Sequence, residues 1–98
     1  MIKVLKNNNH IEIKGHALFD RHGKDIVCAA VSSIVITTVN GILLIDEDSI
    51  NCKDSSGFVE INILKENKTV NSLILNMMNL LKELSKEYKK NIQVEEVD

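Results

Sequence analysis

Between Asp25 and Ile45 the chain is apolar almost without a break, and neither proline nor glycine appears before Gly41. No other stretch limits the possible folds as much. β-Branched residues are dense here (Val27, Val31, Ile34, Val35, Ile36, Thr37, Thr38, Val39), so a buried strand competes with a helix. Length decides, because strands usually run about 5–6 residues. Asp25 is a good N-cap, its carboxylate able to accept the first free amides. The stretch therefore reads as a mostly buried helix, and a helix that apolar needs a sheet face to cover.

The flanking segments supply that sheet. Residues 2–6 alternate weakly, and residues 10–14 alternate better, with Ile11 and Ile13 on one face and His10, Glu12 and Lys14 on the other. Asn7-Asn8-Asn9 lies between them, and asparagine tolerates the left-handed conformations of tight turns. A second hairpin spans 49–53 and 58–64, turned by Asp54-Ser55-Ser56-Gly57. Val70, Leu73, Ile74, Met77, Leu81, Leu84 and Tyr88 then recur at three- and four-residue steps, an amphipathic helix over about 68–89. Ile92 and Val94 suggest a short last strand. The order is ββαββαβ, an α+β two-layer domain with two helices on a mixed or antiparallel sheet.

At 98 residues the chain is expected to form one domain, 1–98. Hydrophobic residues make up 44%, which excludes a disordered chain, and with three aromatics the core must be built from Ile, Leu, Val and Met. A domain of this size is modestly stable and gains from dimerisation. Net charge is −2 with both signs mixed along the chain, so no basic stripe for nucleic acid is expected. Residues 1–7 lack the features of a secretory signal. Ser32, Ser33, Thr37, Thr38 and Asn40 interrupt the apolar run that comes closest to a membrane span. No membrane association is expected, and the chain reads as cytoplasmic.

Cys28 and Cys52 are distant in sequence and read as free thiols in a reducing compartment. Their surroundings differ. With Asp25 as N-cap, Cys28 is the third helical residue, where unpaired amides and the helix dipole stabilise a thiolate. A packed core cysteine is the competing reading. Cys52, mid-strand on the apolar face, reads as structural. His16 follows Gly15 at the end of the second strand, where glycine permits a turn or close approach. His10 and His22 read as solvated. The even spacing of His10, His16, His22 and Cys28 lacks the short ligand pairs of zinc sites, so neither metal nor cofactor is expected. Asp25 has two compatible roles, capping the helix or also orienting His16. Ser32, one turn after Cys28, can bond the sulfur or a backbone carbonyl.

Gly15-His16-Ala17 together with Gly23-x-Asp25-Ile26-Val27-Cys28-Ala29-Ala30-Val31-Ser32, the element order and the length resemble the ribosomal-processing cysteine protease (Prp) family of bacteria. The resemblance implies Cys28 as nucleophile and His16 as its partner, with supporting positions at Gly15, Asp25 and Ser32. It implies a homodimer that clips a short N-terminal extension from a large-subunit ribosomal protein, at an apolar, Phe-containing stretch followed by small residues. It also implies a lid loop between His16 and Cys28. Phe19 and Gly23 lie in that loop and are expected at the substrate. Here the loop runs Leu18-Phe19-Asp20-Arg21-His22, where many relatives carry a further glycine.

Independent chemistry agrees. Imidazole beside a thiol favours the ion pair at neutral pH. First-turn amides near Cys28 are expected to receive the oxyanion, and protonated His16 to protonate the leaving amine. Two other readings compete: a related thiol hydrolase with another peptide substrate, and a ribosome-associated binding module in which Cys28 is only packed.

Overall fold

The computed structural model describes residues 1–15 and 25–97. In chain order the elements are β1 (Ile2–Asn7), β2 (His10–Lys14), α1 (Ile26–Ile45), β3 (Ile50–Ser55), β4 (Phe58–Ile63), α2 (Lys68–Glu87) and β5 (Ile92–Val97). This is the expected ββαββαβ order. The strands form one sheet, ordered β3-β4-β2-β1-β5. All neighbours are antiparallel except β1 and β5, which run parallel, so the sheet is mixed.

The two tight turns follow from residues that accept positive φ. Asn8 stands at +53° between β1 and β2, and Gly57 at +73° between β3 and β4. Each hairpin thereby holds the register that puts the apolar residues of its strands on one face. Val4 lies opposite Ile13, Ile11 opposite Ile61, and Ile2 opposite Ile92. Those side chains are buried beneath the helices, while His10, Glu12, Glu60 and Asn62 alternate onto the other face. Ile61 is fully enclosed at the middle of this layer; truncating it to alanine should cost about 2–5 kcal/mol.

Both helices cover the same sheet face, side by side, with α1 toward β3 and α2 toward β5. Asn67 Oδ1 caps α2 by accepting from the amides of Thr69 and Val70 at 3.0 and 3.2 Å. Val70, Ile74, Met77, Met78 and Leu81 form its buried stripe, flanked by the half-buried Leu73, Leu84 and Tyr88. Met78 is the one fully enclosed residue of α2 that the periodicity had not marked.

α1 corrects the sequence reading in two respects. Only Val27, Val31, Val35, Val39 and Ile42 are buried, a single stripe of a 20-residue helix, so the helix is not mostly buried. Its opposite side leaves Ile26, Ile36 and Leu44 exposed, Leu44 at 90%. Second, the polar residues within 26–45 do not disqualify it by length and composition from crossing a membrane. In this fold the apolar stripe instead packs on the sheet and on α2, as a core helix does.

The acidic C-terminal stretch is part of the sheet. Glu95, Glu96 and Val97 pair with Leu5, Lys6 and Asn7 of β1.

Candidate active site

Asp25 begins the site. Its backbone is extended (φ −78°, ψ 102°), and its Oδ1 accepts the amides of Val27 and Cys28 at 2.9 and 3.0 Å. The Asp25 carbonyl accepts the amide of Ala29 at 3.1 Å. The expected cap is therefore present, and it sets Cys28 in the first turn of α1. The same bonds revise the oxyanion expectation. The amides of residues 27, 28 and 29 are all engaged by Asp25, so they are not free to receive an oxyanion.

Gly15 forms the facing side. Its φ is +99°, a region L side chains rarely adopt, and a Cβ there would collide with the Met1 carbonyl oxygen. Both reasons for a glycine, the turn and the close approach, hold at once. The Gly15 amide donates to the Gly57 carbonyl at 2.9 Å, which ties the end of β2 to the β3–β4 turn.

Between these parts lies a cavity of about 320 Å³ that Gly15, Cys28 and Ser32 all line. Its walls are largely apolar, with Ile2, Ile13, Val31 and Val35 from the core side, Ile36 from the exposed flank of α1, and Phe58 and Val59 from β4. Cys28 is half-buried and Ser32 exposed, so the sulfur sits at the cavity rather than sealed in the core. His16, Phe19 and Gly23 lie outside the described residues.

In the wall formed by Asp54, Ser55, Ser56, Gly57 and Phe58, the sequence reads the first four only as a turn and Phe58 as the start of a strand; β3 in fact extends to Ser55. Nothing local marks this wall as part of a site. It arrives because β4 pairs with β2 in the register that sets Phe58 opposite Lys14, next to Gly15.

The other cysteine, Cys52, and the one histidine among the described residues, His10, separate clearly, while His22 lies outside the described residues. Cys52 is half-buried against the core, and burial first, then the Asp54 carboxylate, pushes its thiol up from the usual range. That is the setting of an inert thiol. His10 is not simply solvated: it is half-buried, with Nδ1 2.7 Å from Asn62 Oδ1 and Nε2 3.1 Å from Glu12 Oε1. It lies on the sheet face away from the cavity.

Comparison with known proteins agrees with this fold. The sequence model of the family described as cysteine protease Prp matches residues 1–93. The ribosomal processing cysteine protease Prp of Mycoplasma genitalium is 37% identical over 78 residues, covering 80% of this chain and 64% of that protein. The chain thus spans just under two thirds of that relative's length. The protein of the same description from Staphylococcus aureus (strain Mu50) is 35% identical over 83 residues, covering 82% of this chain and 78% of the relative. The crystal structure of the essential ribosomal processing protease Prp from S. aureus, with a covalently linked product peptide, superposes with a TM-score of 0.93. That match has 25% identity and covers 99% of this chain and all of the other. The chain belongs to the cysteine protease Prp family.

Proposed function

We propose that this Prp-family cysteine protease removes a short N-terminal extension from a large-subunit ribosomal protein, with Cys28 as nucleophile and His16 as its acid–base partner. The observation that carries the reading is the placement of Cys28 on an open, apolar cavity of about 320 Å³ beside Gly15. Such a cavity suits one large apolar side chain of an extended peptide. Support also comes from the S. aureus relative, whose crystal structure holds a covalently linked product peptide.

In the proposed reaction the Cys28 thiolate attacks the scissile carbonyl, His16 protonates the departing amine, and water hydrolyses the thioester. The Asp25 cap holds the first turn of α1 so that the sulfur faces the cavity. The enzyme works as a cytoplasmic homodimer in this reading. Two free cysteines suit a reducing compartment, and the uncovered apolar side of α1 suits a second copy.

The test is incubation of the purified ribosomal protein, carrying its N-terminal extension, with wild-type enzyme and with His16→Ala. Mass spectrometry should show the shortened product with wild type and not with His16→Ala, while His10→Ala and His22→Ala retain cleavage. Cleavage by His16→Ala at the wild-type rate would remove the dyad. No cleavage by wild type would remove the substrate.

A further inference from the structure

On the sheet face turned away from Cys28, β2 and β4 bring three ligating side chains together. His10 and Glu12 are two residues apart on β2 and so share a face. Glu60 lies directly opposite Glu12 on β4, and Asn62 directly opposite His10. One ligand atom from each of His10, Glu12 and Glu60 falls within 4.8 Å of the others, and all three residues are half-buried. Sequence spacing hides the group, because Glu60 joins only through strand pairing.

Hydrogen bonds fix the imidazole. Asn62 Nδ2 donates to Glu60 Oε1 at 3.2 Å, which turns Oδ1 toward His10 Nδ1 at 2.7 Å. An amide oxygen only accepts, so Nδ1 carries the hydrogen. The remaining ring nitrogen, Nε2, then faces Glu12 Oε1 at 3.1 Å. A lone pair set against a carboxylate oxygen repels it, so something positive belongs between them. A proton is one answer. A metal ion is the other, and Glu60 opposite Glu12, which places like charges face to face across the strands, favours either cation. Lys14 approaches Glu12 through the other oxygen, Oε2, at 3.8 Å, and leaves Oε1 to the imidazole. The 3.1 Å separation is close to the roughly 3.3 Å between two ligands each about 2.0–2.1 Å from a tetrahedral zinc ion.

We propose that His10, Glu12 and Glu60 bind a divalent transition cation of the zinc class, with Asn62 holding the imidazole in its ligating tautomer. One imidazole nitrogen and two carboxylates suit zinc, nickel or cobalt, whereas magnesium and calcium prefer oxygen alone. Water completes the fourth position. The ion joins the central strand β2 to its neighbour β4 and takes no part in the chemistry at Cys28.

The experiment is calorimetric titration of zinc chloride into the full chain bearing Cys28→Ser and Cys52→Ser, so that no thiol competes. One ion per chain is expected, with a raised unfolding temperature and no displacement by excess magnesium. His10→Gln and Glu60→Gln should each weaken binding by about tenfold or more, and Asn62→Leu by about tenfold through the lost orientation. Histidine side-chain nitrogen NMR of the parent reads the ligand without a substitution, and the His10 Nε2 resonance should move on zinc addition. Three results would overturn the site: no saturable binding below about 1 mM zinc, a loss under about tenfold in His10→Gln, or zinc-induced shifts at His16 or His22 with none at His10.

Discussion

The carboxylate of Asp25 and the backbone amide of Cys28 are joined by a 3.0 Å hydrogen bond. The bond makes the position of the proposed nucleophile a consequence of helix capping. It also consumes the amide that a simpler account would lend to the oxyanion.

Replacing Asp25 tests the cap. Asp25→Ala removes the acceptor for two amides and should cost about 0.5–2 kcal/mol. In a domain of this size that lowers the unfolding midpoint by roughly 4–8 °C per kcal/mol. Asp25→Asn keeps an acceptor oxygen and should unfold near the wild-type temperature. Thermal denaturation by circular dichroism separates them, and equal losses in both variants would show that charge, not capping, holds the turn.

The two thiols should behave oppositely. Cys28→Ala should fold and leave no peptidase activity, while Cys52→Ser keeps substantial activity. Iodoacetamide at neutral pH should label Cys28 first. The Cys52 thiol is pushed upward by burial and by Asp54, so at a given pH it holds less thiolate than a free cysteine and reacts more slowly. Peptide mass spectrometry over time gives both rates, and faster labelling of Cys52 would contradict the assignment.

Gly15 should tolerate no side chain. Gly15→Ala places a Cβ at φ +99° and against the Met1 carbonyl, and the backbone strain alone is about 1–2 kcal/mol. Relief requires the end of β2 to move, which breaks its bond to Gly57 and displaces the residue that precedes His16. Activity should fall further than stability. Denaturant unfolding and cleavage kinetics on one preparation check this, and a variant with wild-type turnover would show that the β2–β4 junction is not needed at the site.

The uncovered side of α1 should be the dimer interface. Thr37→Arg sets a charge at the middle of that exposed side, away from the buried Val27–Ile42 stripe. It should leave the monomer folded and abolish association at micromolar concentration, as read by sedimentation equilibrium. A wild-type chain already monomeric there, or a Thr37→Arg dimer of unchanged affinity, would place the interface elsewhere or remove it.

Much of this protein can be read from residue order because its elements are locally specified. Alternation at Ile11 and Ile13, asparagine and glycine at the turns, Asp25 before an apolar run, and three- and four-residue steps from Val70 to Tyr88 each act within a few residues. The same locality made Asp25 and Cys28 legible as a capped first turn. What only the tertiary structure decided comes from pairing at long range. The order β3-β4-β2-β1-β5 brings Phe58 beside Lys14, and so sets a turn from the second hairpin against the Cys28 cavity. It also sets Glu60 against Glu12, which no spacing rule contains. How much of α1 is covered was likewise undecidable from its composition. An apolar helix buries whatever stripe its neighbours reach, and here one sheet and one helix reach only the side bearing Val27, Val31, Val35, Val39 and Ile42.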